Sequence, residues 1–339
     1  MLTGTSDVLR YRCGYAAQHT VYKAYYKGDL VATCNGKTEL NTKLEAVGLV
    51  QEMVELESSI EVEPVNNALH SAKLTIERIK DVMRAKHVRI HLSGSYNWRE
   101  DVATLAPYKG NRWSPVRVQT ERTGRWAAWI DRNFDRIKHQ PRPVLFPELT
   151  EYLTKYHGAK IYKRVEADDA MGINAYKAWA EGREGGIATI DKDLDMIPGE
   201  HYNFADATKG LYYVEPDVAD TLFFQQMLTG DSTDNIPGLP GVGKAFGAKL
   251  LDDCKTNQEM LDIVMSLYYT YYTTGIQSEE LYNARIKCAE YHARECASLV
   301  WIYRKDREQW LDHLKLIMPN VVRISEDWTW ANDKLKRVA

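Results

Sequence analysis

Long hydrophobic runs are missing from this sequence. None of its 339 residues falls in an apolar stretch of about 18, the length that a membrane-spanning helix needs, so no membrane partner is expected. Met1 to Arg10 holds no apolar signal region, which points away from secretion. Cysteine is scarce: Cys13, Cys34, Cys254, Cys288 and Cys296 are scattered, odd in number and without a C-x-x-C spacing. That pattern argues against a disulfide framework or a thiolate zinc site, and it fits a reducing cytoplasm. A surplus of one charge is lacking as well. Lys and Arg number 44 against 47 Asp and Glu, a formal net charge of −3. Nucleic-acid binding would therefore have to rest on local basic patches beside an acidic centre. Internal repeats and low-complexity segments are absent. What is present is ordinary globular material. A hydrophobic content of 44% allows a full core, and the length allows one large domain or two ordinary ones. The 21 Tyr and 9 Trp are able to stack on bases, although most such residues serve the core or an interface.

The most informative stretch is Leu228 to Leu251, LTGDSTDNIPGLPGVGKAFGAKLL. Gly230, Asp231 and Asp234 put carboxylates on a tight polar turn. A second turn, Ile236 to Gly243, then feeds a helix expected to start near Lys244. Gly241 and Gly243 let backbone N–H groups face outward without a Cβ in the way. The helix N-terminus behind them carries partial positive charge. Together these make a phosphate seat, with Lys244 and Lys249 beside it. A plain helix–turn–helix corner in a core is the bland alternative. The long pattern of alternating Pro, Gly and apolar residues ahead of Gly243-Lys244 favours the helix–hairpin–helix seat for a nucleic-acid backbone.

Residues 7–34 read as the end of a first strand running into a helix, with too few residues ahead of Gly4-Thr5-Ser6 for a complete central strand. Residues 35–63 are polar, with one possible helix near Lys43–Glu57. From Val65 to Met83 the apolar spacing of three and four predicts an amphipathic helix. Val88–Leu92 alternates as a strand. Helices are expected over Phe146–His157, after Asp169, over Asp217–Leu228, Gln258–Tyr272 and Glu279–Tyr303, and strands over Ala159–Val165, Ile187–Ile190 and Leu211–Val214. Strands alternating with helices indicate an α/β fold with a mainly parallel sheet flanked by helices. Between 113 and 140, six Lys or Arg face three Asp or Glu, with Trp113, Trp126, Trp129 and Phe134 among them. Basic residues interleaved with aromatics suit a single strand of nucleic acid, and an ordinary amphipathic excursion is the competing reading.

Three acidic sets fall at predicted strand ends: Glu166/Asp168/Asp169, Asp191/Asp193 and Asp231/Asp234. In a parallel sheet the ligand crevice lies at the carboxyl ends of the strands. Seven carboxylates gathered there would repel one another, and divalent cations would remove that cost. All-oxygen ligands with no His or Cys nearby favour Mg²⁺ or Mn²⁺ over zinc. Two such ions roughly 3.5–4 Å apart would grip one phosphate. Each set alone also reads as a helix cap or polar turn.

The motifs PYKGNR (107–112), VEADD (165–169), TIDKDLD (189–195) and GDSTDNIPGLPGVG (230–243), in that order, resemble the flap endonuclease and 5′→3′ exonuclease family. YNWRE followed by PYKGNR resembles its bacteriophage members. The resemblance covers roughly residues 7–305. It implies an α/β domain over 1–227 with a helical arch at about 96–142, a helix–three-turn–helix (helix–hairpin–helix) region over 228–305, and a tail at 306–339. It also implies that Lys109 and Arg112 touch the scissile phosphate and that Asp191 and Asp193 are catalytic. Glu166, Asp168, Asp169, Asp191, Asp193, Asp231 and Asp234 would hold metal, while Gly241, Gly243, Lys244 and Lys249 would hold the duplex, with K⁺ at that seat. The implied partners are DNA with 5′ single-stranded ends or flaps, or an RNA:DNA hybrid, in the host cytoplasm if the gene is a phage's. Two family carboxylates are displaced: Thr5 stands where an Asp is expected, with Asp7 two residues later as a substitute ligand, and Gly94 stands at a second expected Asp. A catalytically weak DNA-structure-binding protein on the same scaffold is the alternative.

Overall fold

The computed structural model describes residues 2–114, 137–138, 142–206 and 208–305. Most of the expected arch, 115–136, and the tail from 306 lie outside the described residues. The chain opens on β1 (Leu2–Thr5), α1 (Val8–Ala16), β2 (Gln18–Tyr26), β3 (Asp29–Cys34), α2 (Lys37–Ala46), β4 (Glu55–Val62), α3 (Val65–Val82), β5 (His87–Asn97) and the short α4 (Arg99–Val102). Next come β6 (Trp113–Ser114) and β7 (Ile137–Lys138), which pair antiparallel, so the segment between them leaves and returns at one place. There follow α5 (Phe146–His157), β8 (Lys160–Arg164), α6 (Ala167–Ala180), β9 (Gly185–Ala188), β10 (Gly199–Tyr202), β11 (Leu211–Val214) and α7 (Pro216–Thr229). Last are the two-residue strands β12 (Gly230–Asp231) and β13 (Ile236–Pro237), then α8 (Lys244–Leu251), α9 (Asn257–Thr273) and α10 (Glu279–Val300).

The main sheet has the order β11-β10-β9-β1-β5-β8. Every pairing is parallel except the antiparallel β10–β11 edge. The mainly parallel sheet expected from the sequence is therefore present. Four residues suffice for its central strand, contrary to the expectation that the start is too short. Thr3 and Thr5 are fully buried, and Gly4 lets α6 close in: a Cβ there would lie 2.8 Å from Met171 Cγ. β1 is flanked on both sides, by β5 and β9, so its four residues are paired along both edges.

The expected helix over 43–57 is also corrected. Helix α2 ends at Ala46, and β4 instead pairs with β2 across eight residues to form a separate sheet β3-β2-β4. Its register sets Thr20 opposite Ile60 and Ala24 opposite Leu56, and α2 covers Ala24, Ala32 and Cys34 with Leu40 and Leu44. Alternation in this polar stretch is broken by Ser58-Ser59, so neither period stands out.

Helices pack on both faces of the main sheet. On one side α1, α3 and α5 bury Leu9, Ile76, Leu149 and Leu153 against Ile90 and Leu92 of β5. The largest core joins α7, α9 and α10 through Phe223, Phe224, Tyr268 and Trp301. Phe223 meets Trp301 edge-on at 5.0 Å, a favourable aromatic geometry. Phe224 has no exposed surface. Phe224→Ala should cost about 3–5 kcal/mol through lost burial and the cavity left behind. Urea unfolding would show this as a lowered midpoint at unchanged slope, and a change under about 1 kcal/mol would mean this core collapses around the gap.

Candidate active site at the carboxyl ends of the sheet

Glu166 follows β8 by two residues and stands at the N-cap of α6, with Asp168 and Asp169 in the first turn. Asp191 follows β9 and caps a 3₁₀ turn (Lys192–Met196), accepting from the Asp193 N–H at 3.0 Å. Asp231 and Asp234 come from the turn between β12 and β13, where Asp231 accepts from the Thr233 N–H at 2.8 Å. Gly230 makes that turn possible. Its φ is +61°, and a Cβ would sit 2.2 Å from the Ile236 carbonyl oxygen. Any side chain at 230 would drive β12 and β13 apart.

The loop carrying PYKGNR is laid across these acids. The Tyr108 hydroxyl lies 3.0 Å from Glu166 Oε2 and 2.8 Å from Asp234 Oδ2, so its one proton is shared between two carboxylates. Lys109 Nζ lies 2.5 Å from Glu166 and 3.4 Å from Asp234. The backbone of Lys109 is left-handed, φ +54°, which is unfavourable for a residue with a Cβ. It is held there by its own N–H donating to the Asp234 carbonyl at 2.7 Å. Asn111 donates to the Ser232 carbonyl and Asn235 to that of Pro107, stitching the two turns together. Arg112 closes the short turn Gly110–Arg112, and its side chain lies outside the described residues.

Asp169 faces elsewhere. It is fully buried, and both of its oxygens accept from Arg99, at 2.6 and 2.8 Å, in the fork geometry that suits a guanidinium. The Tyr303 N–H and the Trp98 indole also donate to it. Both oxygens of this expected metal ligand are thus engaged by Arg99 in the structure. Arg99 itself is 3% exposed and also donates to the Leu299 and Trp301 carbonyls. Arg99 and Tyr108 carry no role in the sequence reading, although both lie inside motifs that it quotes. The available signal is the pair Trp98-Arg99: a guanidinium beside an aromatic face is suited to burial.

Asp7 opens α1 and is bound by the Arg10 guanidinium and by the Ser93 N–H at 3.0–3.1 Å. The Ser93 hydroxyl in turn accepts from the Ala167 N–H, at the start of α6. Asp7 is close enough to Asp168 to help raise its pKa. Thr5 is fully buried, and its hydroxyl has no partner among the described residues. At Gly94 a Cβ would lie 2.5 Å from the Tyr162 carbonyl oxygen, so no carboxylate can be carried there without moving β8.

Electrostatics set these acids apart. Burial alone would raise the Glu166 carboxyl, but Lys109 and Arg99 outweigh it and hold it below its usual value. Burial pushes Asp168 well up, reinforced by Asp191, Glu166 and Asp7. Asp191 is raised by burial and by Asp234 and Asp231. Asp193 is pushed up to about 7 by burial, Asp191 and Asp231, although it accepts from Gln226 at 2.6 Å. Among the described residues no three of these groups already converge as a finished cage. The donor set is still one that fits a hard divalent cation: all oxygen, with three carboxyls whose pKa is raised by burial and by neighbouring carboxylates.

At the seat, Gly241 has φ +85° and Gly243 is the N-cap of α8. The first N–H groups of that helix have no carbonyl of their own helix to bond. Lys244 and Lys249 are exposed beside them.

No protein-family model matches the chain. It is similar to DNA polymerase I of Bacillus caldotenax, 33% identical over 128 residues, 34% of this chain and 15% of that protein. It is also similar to DNA polymerase I of Rhizobium leguminosarum, 35% identical over 95 residues, 26% of this chain and 9% of that protein. The chain thus spans less than a fifth of the length of these curated relatives. Among solved structures, the D15 protein of T5, co-crystallised with metal ions, aligns with a TM-score of 0.50 at 13% identity, over 88% of this chain and 89% of that one. The architecture is accordingly a mainly parallel α/β fold flanked by helices, and T5 D15 is a protein that shares it.

Two outcomes follow from the site's electrostatics. Arg99→Ala leaves Asp169 buried and unpaired and should cost about 3–5 kcal/mol by urea unfolding; near-neutrality would mean water replaces the guanidinium. Asp193 binds its proton up to pH about 7 when folded, against 3.8 ordinarily. The folded state therefore holds more protons than the unfolded chain across that window, and stability falls as pH rises through it. In EDTA, Asp193→Asn should flatten the loss between about pH 4 and about pH 7 by roughly 1–2 kcal/mol, allowing for solvent screening. An equally steep profile would assign the loss to other groups.

Proposed function

We propose that this chain is a divalent-metal-dependent phosphodiesterase that cuts DNA from or near 5′ ends, combining 5′→3′ exonuclease and flap endonuclease activity, with RNA:DNA hybrids as a second substrate class. The observation that carries this reading is the placement of Glu166, Asp168, Asp191 and Asp193 beyond the carboxyl ends of parallel strands, within electrostatic reach of Asp231 and Asp234, with the Lys109 ammonium against Glu166 and Asp234. The fold shared with D15 and the family motifs in sequence support it.

Glu166, Asp168, Asp191, Asp193, Asp231 and Asp234, with Asp7 beside them, would hold Mg²⁺ or Mn²⁺. When bound, the ions would supply Lewis-acid polarisation of the phosphodiester and neutralise the carboxylates' mutual repulsion. Lys109 offers an ammonium to the charge that grows on the phosphate in the transition state. Its ion pair with Glu166 keeps it aimed before substrate arrives. Tyr108 holds Glu166 and Asp234 in fixed relation through its shared proton. Arg112, one turn on, would meet the same phosphate. Gly241, Gly243, Lys244 and Lys249 would seat the duplex backbone as a helix–hairpin–helix, with K⁺ among the carbonyls, while segment 113–140 passes the 5′ single strand. In keeping with the resemblance to bacteriophage enzymes, the activity would belong to a host cytoplasm.

The deciding experiment is cleavage of a labelled 5′-flap duplex with Mg²⁺, with Mn²⁺ and with EDTA. Metal-dependent release of the flap or of 5′ nucleotides is expected. Asp191→Ala/Asp193→Ala should abolish it, and Lys109→Ala should lower kcat by about 10²–10³-fold. Full activity in the double variant would overturn the assignment. The steric block at Gly94 favours one second reading, a DNA-structure-binding protein of weak catalysis. Tight flap binding without cleavage in either metal would establish it.

A further inference from the structure

Helix α10 touches three parts of the site. His292, 5% exposed, lies with Nε2 3.1 Å from the Pro237 carbonyl oxygen and Nδ1 3.0 Å from the Tyr272 hydroxyl. Burial lowers its pKa, so the neutral ring donates from Nε2 to Pro237 and accepts from Tyr272. Pro237 belongs to the turn that leads into the seat. At the far end, the Leu299 carbonyl, with that of Trp301 just beyond, accepts from Arg99, which grips Asp169 and Glu166. Between them stands Glu295, three residues after His292 and so about 4.5 Å along the axis.

Glu295 is 4% exposed. One of its oxygens accepts from the backbone N–H groups of Thr104 at 2.8 Å and Leu105 at 2.7 Å. The other accepts from the Thr104 hydroxyl at 2.5 Å and the Tyr291 hydroxyl at 2.9 Å. Four donors on a buried carboxylate make a firm tether, since each bond is charge-assisted. Thr104 and Leu105 begin the loop that delivers Tyr108 and Lys109 to the acids. The far end of that loop is pinned by Asn111, and Asn235 holds its middle at the Pro107 carbonyl. The near end is pinned by Glu295. Lys109's left-handed backbone persists only where the surroundings over-determine it, and a loop fixed at both ends meets that need.

We propose that Glu295 is a positioning residue that sets Lys109 against the scissile phosphate, by fixing the near end of its loop to the same helix that braces the seat turn. The inference rests on the nuclease reading. Freed at Thr104 and Leu105, the loop would let Lys109 drift by the order of 1 Å, enough to cost about 10²-fold in rate. The seat at 238–244 does not hang on this tether, so duplex affinity would be kept.

The test is a double-mutant cycle of Glu295→Ala and Lys109→Ala on the 5′-flap duplex, with duplex Kd and backbone hydrogen exchange measured in EDTA. Glu295→Ala should lower kcat by about 10–100-fold, leave Kd within about twofold and speed exchange over 104–110. In the Lys109→Ala background it should add little, because its effect passes through Lys109. Factors that multiply, an unchanged exchange pattern, or a loss confined to Kd would each overturn the proposal. If Glu295→Ala does not fold, Glu295→Gln, which keeps the volume and loses the charge, enters the same cycle with the same expected signs. If the wild type cuts no flap, the nuclease reading fails by itself, and the exchange pattern alone decides whether Glu295 holds the loop.

Discussion

The Arg99–Asp169 pair is the constraint on which the site's placement depends. Asp169 begins α6 one turn after Glu166, and Arg99 begins the short helix that leads to the Tyr108–Lys109 loop. Two parallel bonds between fully desolvated groups fix both position and angle, as a lysine's single point of charge would not. Arg99 also takes the last carbonyls of the chain's largest helical core. The sheet, the acidic helix N-terminus and the α7–α9–α10 core are thereby joined at one guanidinium. A buried pair of this kind adds little net stability over a well-packed apolar substitute. Its value lies in specificity, since no apolar contact would hold Glu166 at one orientation toward Lys109.

Around that fixed point the remaining carboxylates are arranged against stability. Asp168, Asp191 and Asp193 are all pushed upward by burial and by each other, which means the folded chain holds charges it would rather neutralise. Lys109 compensates for part of that charge and accepts a left-handed backbone to do so. Strain and repulsion gathered at one place, with ordinary packing elsewhere, is the pattern of a site built for a charged ligand rather than for its own cohesion.

Much of this was legible in the sequence, and for identifiable reasons. The parallel sheet announced itself through short apolar runs such as Ile187-Ala188, and helices such as Phe146–His157 through their spacing and caps. The acids were legible because they sit in dense, charged clusters at strand ends. The β3-β2-β4 sheet was not, because β4 is exposed along its whole length and Ser58 interrupts its one apolar face, Leu56, Ile60 and Val62. The pairing of Asp169 with Arg99 was not legible because adjacent carboxylates look alike in sequence, while one residue's step along a helix turns Asp168 and Asp169 about 100° apart. Arg99, Tyr108 and Glu295 were missed for a related reason. Their roles depend on partners 58 to 202 residues away, which no local pattern encodes.

The two displaced carboxylates find a physical explanation together. Gly94 lies so close to the Tyr162 carbonyl that the strand pairing of β5 with β8 leaves no volume for a side chain. The residue before it, Ser93, then becomes useful through its backbone. Its N–H holds Asp7 while its hydroxyl holds the first N–H of α6. A carboxylate from the start of α1 is thus brought to the side of Asp168, beside the strands that carry Thr5 and Gly94. The same placement sets Asp7 against the Arg10 guanidinium, so part of its charge is already met within the protein. A site assembled in this way would keep most of its negative field while weakening one corner of it. The corner it weakens is the one farthest in sequence from Asp231 and Asp234 and nearest to the short central strand.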